Sequence, residues 1–344
     1  MAQQPPILRG MELLQDRHGR VARDVRVSLT DRCNLRCTYC MPAEGLEWAP
    51  TDELLSDDEM VRLLRIGVER LGIREVRFTG GEPLLRRGLV DLVRRTGELR
   101  SDEGIAPEMS VTTNGLGLSR LAGPLAEAGL DRVNVSLDSV RPETFAQLTR
   151  RDRLHDVVAG IDAAIEAGLV PVKVNAVLMR GVNDAQAPEL LEWCLDRGLQ
   201  LRFIEQMPLD AQHGWRRDDM VTADEIQEQL SLTHTLTPTG EERGSAPAEL
   251  FLVDGGPASV GIIASVTRPF CGDCDRVRLT ADGQVRNCLF AREESDLRAA
   301  MRSGADDDDL ARRWRECVLG KLPGHGIDDP SFLQPTRPMS SIGG

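Results

Sequence analysis

The chain has 344 residues, 41% of them apolar and 28% charged, and this composition predicts a folded protein with a sizeable core. Acidic residues outnumber basic ones by 55 to 42, which gives a formal net charge of -13. This sign argues against nucleic acid or anionic lipid as a partner, so an anionic ligand would need a local basic pocket. The sequence has neither a long apolar run nor a secretory leader, so we expect no membrane association and a cytoplasmic protein.

Six short apolar runs between residues 25 and 207 each precede a turn and a helical stretch. The runs are Val25–Leu29, Glu75–Phe78, Met109–Thr112, Arg132–Leu137, Val172–Val177 and Leu201–Glu205. This alternation predicts an α/β fold with a parallel sheet. Six units are too few to close an eight-stranded barrel, so we expect an incomplete (β/α)6 barrel of the TIM type whose open side is covered by the C-terminal region. We expect the core to span residues 1–240 and the C-terminal region 241–344.

Several local patterns predict helix starts and irregular segments. The sequences Ser56-Asp57-Asp58-Glu59 and Thr222-Ala223-Asp224-Glu225 are capping boxes, and the first helix should end near Gly72. Residues 235–249 are rich in Thr, Pro, Gly, Glu and Ser, which is typical of a linker or mobile loop. The run Asp306–Asp309 suggests a solvated surface loop, and Ser331 to Gly344 a tail.

The first group of cysteines has the spacing C-x3-C-x2-C, at Cys33, Cys37 and Cys40. No fourth Cys or His lies nearby, whereas a closed structural zinc site needs four ligands. Three thiolates in one loop instead suit a cubane iron–sulfur cluster with one open iron, and zinc is the alternative. The ring of Tyr39 would lie beside this cluster and could pack on a ligand.

The second group, Cys271, Cys274 and Cys288, has the spacing C-x2-C-x13-C and again supplies three thiolates. A second cluster with an open iron is favoured, and the alternative is zinc with Asp273, Asp275 or Cys317 as a fourth ligand. Cys194 and Cys317 otherwise suit ordinary packing.

Arg276 and Arg278 lie between the second and third ligands of this group, in an alternating strand pattern that places them on one face. Two guanidinium groups beside a cluster make a place for a polyphosphate. The alternative is a strand edge that faces solvent.

The first cysteine motif, with an aromatic residue before its last cysteine, resembles the radical S-adenosylmethionine (SAM) superfamily. In that superfamily SAM chelates the open iron and is cleaved to a 5′-deoxyadenosyl radical. The glycines of Gly80-Gly81-Glu82-Pro83 suit close approach of a ligand, and a carboxylate or carbonyl of this turn can accept from an ammonium group. The resemblance implies that SAM contacts Tyr39, Gly81, Ser136 and Met207.

Both cysteine motifs, the enclosed Arg-x-Arg and the final Gly343-Gly344 together resemble the GTP 3′,8-cyclases of molybdenum cofactor biosynthesis. The resemblance implies a lyase with two [4Fe-4S] clusters, held by the two cysteine groups. The 5′-deoxyadenosyl radical would abstract the C3′ hydrogen of GTP, and C3′ would bond to C8. The product would be (8S)-3′,8-cyclo-7,8-dihydroguanosine 5′-triphosphate.

The same resemblance implies the substrate and catalytic residues. The GTP contacts would be Arg26, Arg77, Thr112, Lys173, Arg202, Arg276, Val277 through its backbone, and Arg278. The catalytic residues would be Arg276, Arg278, Gly343 and Gly344. Lys173 and Lys321 are the only lysines, so an ammonium at Lys173 suggests a geometry that a guanidinium cannot match.

The resemblance also implies partners. A cyclic pyranopterin monophosphate synthase would take the product, and an electron donor such as flavodoxin or ferredoxin would supply electrons to a monomer or homodimer. Two other functions fit the motifs. One is a peptide-modifying radical SAM maturase with an auxiliary cluster, and the other is a non-catalytic metal-binding or scaffold protein.

Overall fold

The computed structural model describes residues 13–343. The first six strands are β1 (Asp24–Ser28), β2 (Glu75–Thr79), β3 (Glu108–Thr113), β4 (Arg132–Ser136), β5 (Lys173–Val177) and β6 (Gln200–Ile204). Each begins and ends within one residue of the predicted run, and each pairs in parallel with the next. The predicted parallel α/β fold is therefore confirmed.

Helices follow the strands as the alternation predicts. They are α1 (Asp57–Arg70), α2 (Leu89–Gly97), α3 (Leu118–Glu127), α4 (Pro142–Thr149), α5 (Leu154–Glu166), α6 (Ala187–Leu195) and α7 (Ala223–Leu230). Both capping boxes are present: Ser56 Oγ accepts from Glu59 N at 3.1 Å, and Thr222 Oγ1 accepts from Glu225 N at 3.3 Å. None of the helices in residues 13–343 combines the length and apolar character needed to cross a bilayer.

The C-terminal part adds strands to both ends of the parallel sheet. Its elements are β7 (Leu236–Pro238), β8 (Glu249–Val253), β9 (Ser259–Ile263), β10 (Arg276–Leu279), β11 (Gln284–Arg286), β12 (Ser295–Asp296), α8 (Leu297–Arg302), α9 (Asp307–Leu319) and α10 (Met339–Ile342). Strand β9 pairs in parallel with β6, and β10 pairs in parallel with β1.

The parallel run is therefore β10-β1-β2-β3-β4-β5-β6-β9, and antiparallel strands continue it at both edges. In the part of the chain that the structure describes, β9 and β10 pair with these antiparallel strands and not with each other. The barrel is thus incomplete, as predicted, and the C-terminal strands extend its wall.

Two segments expected to be irregular each contain a short regular element, and the rest of each segment is irregular as expected. The 235–249 stretch contains β7, which pairs with β8 through Leu236 and Val253. The backbone hydrogen bonds of this pairing hold a segment of polar composition in a strand. The tail after Ser331 contains α10 and returns to the barrel, where Met339 N donates to Leu209 O at 3.0 Å.

The prediction of a solvated loop at Asp306–Asp309 is wrong. Asp306 is the N-cap of α9, and its side chain accepts from Asp309 N at 2.9 Å. Asp307 then pairs with Arg62 and Arg65 of α1, each at 2.8 Å. Acidic side chains stabilise the positive end of a helix, so this charge run begins a helix.

The strands alternate apolar side chains with charged ones that face the barrel interior. Val25 and Val27 of β1 pack in the core, at 1% and 0% exposure, while Arg26 between them lines an interior cavity. Arg77 on β2 lines the same cavity between buried Val76 and Phe78. The strand period of two thus gives this barrel a basic interior.

Candidate active site

A cavity of about 300 Å³ lies at the carboxyl ends of the strands. Tyr39 and Cys40 from the loop after β1 contribute to its wall, and so do Cys271, Cys274 and Cys288. Cys40 and the second cysteine group therefore face one cavity. Cys33 and Cys37 are not part of the cavity wall, although they lie in the same loop as Cys40.

The first cysteine loop is fixed by hydrogen bonds from neighbouring side chains. Arg36 donates to the backbone oxygen of Cys33 at 2.7 Å, and Asn114 Nδ2 lies 3.8 Å from Cys33 Sγ. Burial raises the pKa of Cys37 well above its usual value and that of Cys40 to about 12, and the neighbouring thiols contribute. A bare thiolate is thus unfavourable at these two positions.

The glycines of the turn after β2 allow it to pack against the loop that precedes Cys33. A Cβ on Gly81 would lie 2.4 Å from the backbone oxygens of Asp31 and Arg32. Gly81 N donates to Thr30 O at 2.7 Å, and Gly80 has a φ of +141°. The close approach inferred from the sequence is therefore to the protein's own backbone, and Gly81 lies outside the cavity wall.

Glu82 is fully buried and accepts three hydrogen bonds from the chain. The donors are Leu84 N at 3.0 Å, Thr113 Oγ1 at 2.7 Å and Asn114 N at 2.7 Å. Burial raises its pKa to about 7, although these bonds oppose the shift. Its carboxylate thus joins the turns after β2 and β3, and Glu82 lies outside the cavity wall.

Three of the four predicted SAM contacts lie on the cavity wall: Tyr39, Ser136 and Met207. The hydroxyl of Tyr39 donates to Asp138 Oδ2 at 2.6 Å, and Asp138 Oδ1 accepts from Val177 N at 2.8 Å. Asp138, which follows β4, therefore holds the ring of Tyr39 in place.

The sulfur atoms of the second cysteine group are surrounded by donors. Cys274 Sγ lies 3.4 Å from Lys321 Nζ and 3.9 Å from an Arg276 guanidinium nitrogen, and Phe290 N donates to Cys288 Sγ at 3.4 Å. Burial alone would raise the pKa of Cys274, but the charges of Lys321 and Arg276 outweigh it and lower this pKa. Lys321 was not predicted, although its rarity in the sequence was a usable signal.

Zinc is the alternative for this group, and Cys317 was a candidate fourth ligand. Cys317 Sγ donates to Val285 O at 3.4 Å, so this thiol is hydrogen-bonded to the backbone. Three free, partly buried thiols with N–H donors fit a cluster better than a closed zinc site.

A cluster of guanidinium groups surrounds Asp24 near the cysteines. Asp24 Oδ2 lies 3.4 Å from Arg77, 3.7 Å from Arg276 and 3.9 Å from Arg26. Arg278 pairs with Arg26 in register, and all four arginines line the cavity. Sequence reasoning predicted these arginines and missed Asp24.

This basic cluster has more positive charge than its own counter-ion balances. The Nε atoms of Arg26, Arg77 and Arg276 are buried without a hydrogen-bond partner among the described residues. Burial lowers the pKa of Arg278 to about 10 and holds the pKa of Arg26 well below its usual value, and the neighbouring guanidinium groups add to both shifts. Four guanidinium groups around one carboxylate are expected to attract an anionic ligand.

Arg202 on β6 is held by amides on the two preceding strands, β5 and β4. It donates to Asn175 Oδ1 at 2.9 Å and to Asn134 Oδ1 at 2.8 Å, and Asn134 donates to Thr112 Oγ1 at 3.3 Å. Arg202 and Thr112 line the cavity. This network fixes the direction of the Arg202 guanidinium.

Lys173 and Val277 lie outside the cavity wall. Burial lowers the pKa of Lys173 to about 8, and the charges of Arg202, Arg132 and Arg77 contribute. Lys173 therefore belongs to the same basic interior. Val277 is buried, at 1% exposure, so its predicted backbone contact with GTP stays a prediction.

The chain end reaches the same site. The carbonyl of Gly343 accepts from the guanidinium of Arg278. Gly343 has a φ of +74°, and a Cβ there would lie 2.5 Å from Thr79 Cγ2, so this position requires glycine. Gly344 lies outside the described residues.

Two family models match the chain. The Radical SAM superfamily matches residues 27–194, and Molybdenum Cofactor Synthesis C matches residues 199–327. Among solved structures, SuiB of Streptococcus suis bound to S-adenosylmethionine has a TM-score of 0.61 at 14% identity. The match covers 91% of this chain and 69% of SuiB, and it supports the fold alone.

Curated relatives match over nearly the whole chain. A protein of Streptomyces coelicolor named GTP 3′,8-cyclase is 64% identical, covering 97% of each chain. One of the same name from Corynebacterium glutamicum is 60% identical, covering 97% of this chain and 90% of its own. At these identities and coverages, the chain belongs to the GTP 3′,8-cyclase family of radical SAM enzymes.

Proposed function

We propose that this chain converts GTP to (8S)-3′,8-cyclo-7,8-dihydroguanosine 5′-triphosphate, the first step of molybdenum cofactor biosynthesis. The observation that carries the proposal is one cavity lined by Cys40, by the second cysteine group and by the basic cluster around Asp24. When bound, SAM and the first cluster supply a 5′-deoxyadenosyl radical. The side chains of the cavity then have to bind GTP, orient its ribose and exclude water.

Electrostatics support a triphosphate in the basic cluster. The chain carries a net charge of -13, so a triphosphate of charge near -4 needs local neutralisation. Arg26, Arg77, Arg276 and Arg278 provide it, and Asp24 offsets only one of their charges. At roughly 4 Å, each close ion pair would contribute about 4 kcal/mol before desolvation.

We propose that Cys33, Cys37 and Cys40 hold the SAM cluster and that Cys271, Cys274 and Cys288 hold a second [4Fe-4S] cluster whose open iron binds the guanine. All six thiols are free, and the second group shares its cavity with the basic cluster. The proposal would therefore place guanine and triphosphate in one substrate pocket, with Arg276 close to both the second cysteine group and Asp24. Gly343 and Gly344 assist from the chain end, where Arg278 holds the carbonyl of Gly343.

The remaining assignments follow from the same function. SAM is proposed to contact Tyr39, Gly81, Ser136 and Met207. A cyclic pyranopterin monophosphate synthase takes the product, and flavodoxin or ferredoxin supplies the electron. The protein is proposed to work in the cytoplasm as a monomer or homodimer, with its core at 1–240 and its C-terminal region at 241–344.

The direct test is anaerobic turnover. Reconstituted protein is incubated with GTP, SAM and dithionite, and the products are identified by mass spectrometry. The proposal predicts equal amounts of 5′-deoxyadenosine and of a cyclised product with the mass of GTP, and Cys33→Ser should abolish both. A maturase would form 5′-deoxyadenosine without consuming GTP, and a scaffold protein would form neither product.

Iron content tests the number of clusters. Protein purified and reconstituted without oxygen should hold about eight irons per chain, because each cubane contains four. Changing Cys271, Cys274 and Cys288 together to Ser should reduce the content to about four. About four irons together with zinc in the unchanged protein would contradict the second cluster.

Lys173 should make GTP binding depend on pH. Its pKa is lowered to about 8 by burial and by Arg202, Arg132 and Arg77, with Glu75 opposing the shift. A bound triphosphate favours the ammonium form, so binding should take up a fraction of a proton and weaken up to about tenfold as pH rises one unit above 8. Isothermal titration calorimetry at about pH 8.5, in two buffers of different ionisation enthalpy, measures this proton uptake. Equal uptake by Lys173→Met would show that another group is responsible.

A further inference from the structure

Lys321 is a buried lysine beside the second cysteine group, in the segment after α9. It is 6% exposed, and its Nζ lies within hydrogen-bond distance of three acceptors. These are Cys274 O at 2.9 Å, Arg276 O at 2.9 Å and Cys274 Sγ at 3.4 Å. The three protons of an ammonium group match these three acceptors.

The counter-charge of this ammonium group is a cysteine sulfur. No carboxylate of residues 13–343 pairs with Lys321, and the backbone oxygens around it are neutral. A buried charge is costly unless it is paired. Cys274 becomes the missing partner when it is a thiolate, and the charge of Lys321 also acts on Cys288. The position of Lys321 therefore suits a cysteine sulfur that is a ligand of a negatively charged cluster.

A lysine at position 321 is unusual in this sequence, where nearly all basic residues are arginines. Lys173 and Lys321 are the only lysines among 42 basic residues, and every other cation is an arginine. An ammonium group is compact and can direct protons toward a sulfur and two carbonyls at once, whereas a guanidinium is a planar fork. The requirement at Lys321 is thus for a point charge with a specific geometry.

We propose that Lys321 is a positioning residue that raises the reduction potential of the second cluster by holding its ammonium group on the Cys274 sulfur. The inference rests on the proposed function, which assigns a cluster to this cysteine group. Reduction adds one electron, from an external donor such as dithionite, and breaks no bond. A fixed cation at a ligand sulfur stabilises the more negative reduced state.

The test is a redox titration of the second cluster alone, in full-length protein carrying Cys33→Ser, Cys37→Ser and Cys40→Ser. The reduced cluster is quantified by electron paramagnetic resonance at set potentials. Lys321→Met should lower the equilibrium constant for reduction at least tenfold, which is 59 mV for a one-electron couple. Lys321→Gln, which keeps a donor without the charge, should give a smaller decrease, and Lys321→Arg, which keeps the charge without the ammonium geometry, should give the smallest decrease of the three.

The matched control is Lys173→Met, which removes the other lysine from β5, a strand that pairs with β4 and β6. It should leave the potential unchanged. If Lys321→Met matches this control, the inference is wrong while the proposed function stands. If Lys321→Met does not retain iron, equal potentials in Lys321→Gln and Lys321→Arg overturn the inference instead. Absence of any cluster from the starting variant overturns both the inference and the second cluster.

Discussion

Replacing Arg278 by Ala should weaken GTP binding by about 10- to 100-fold, because a charge-assisted contact contributes about 1.5–3 kcal/mol. Arg278 lines the cavity and also donates to the carbonyl of Gly343, so the change removes a proposed phosphate contact and releases the chain end. Turnover of GTP should therefore fall further than affinity, by about 10²- to 10³-fold. Equilibrium binding and anaerobic turnover measure the two effects separately.

Measuring 5′-deoxyadenosine in this variant distinguishes a defect in substrate binding from a defect in SAM cleavage. We expect uncoupled SAM cleavage to persist in Arg278→Ala and in Arg276→Ala, since the first cysteine group is untouched. Arg87→Ala, which removes an exposed arginine, is the matched control and should behave as the unchanged protein. If Arg278→Ala has full iron content and an unaltered affinity for GTP, the assignment of the triphosphate to the arginines around Asp24 is disproved.

Replacing Asp24 by Asn should destabilise the protein in the absence of GTP by about 3 kcal/mol or more, because buried guanidinium groups lose their shared counter-ion. Burial alone would raise the pKa of Asp24, but Arg77, Arg26 and Arg276 lower it, which indicates a strong interaction with the carboxylate. A bound triphosphate supplies the missing negative charge. GTP should therefore raise the Tm of Asp24→Asn more than it raises the Tm of the unchanged protein.

Thermal unfolding with and without GTP measures this difference, and inorganic tripolyphosphate tests whether the phosphates alone suffice. Asp307→Asn is the matched control, since Asp307 pairs with Arg62 and Arg65 on the outer helices. It should lower Tm without changing the increase that GTP causes. If GTP raises the Tm of Asp24→Asn and that of the unchanged protein equally, GTP does not replace the negative charge of Asp24 and this role is refuted.

The strands and the cysteine groups could be predicted because their signals are local. Each of β1 to β6 is a short β-branched run bounded by a turn, and the carboxyl ends of parallel strands meet at one edge. The alternation at Arg276 and Arg278 likewise gave the correct face, because a strand has a period of two.

The pairings at the ends of the parallel sheet could not be predicted, because they are long-range contacts without a local pattern. Strand β10 pairs with β1, more than two hundred residues earlier in the chain, and β9 pairs with β6. The role of Asp24 depends on this pairing, since Arg276 reaches it from β10. A single aspartate in a strand carries no signal of such a cluster.

Two further features depend on tertiary partners. Glu82 was considered as an acceptor for a ligand, but hydrogen bonds from the turn after β3 occupy its carboxylate. Lys321 was noticed only for its rarity, and its acceptors lie more than forty residues away in sequence, at Cys274 and Arg276. In both cases the sequence identified an unusual residue, and only the fold identified its partner.

In the proposed mechanism, SAM and GTP meet in the cavity that Cys40 and the second cysteine group line. The most direct measurement is hydrogen transfer between them, with GTP deuterated at C3′ and with dithionite as reductant under anaerobic conditions. We predict that the 5′-deoxyadenosine formed carries one deuterium from GTP. Unlabelled 5′-deoxyadenosine formed while GTP is consumed would contradict direct abstraction at C3′ and, with it, the shared site.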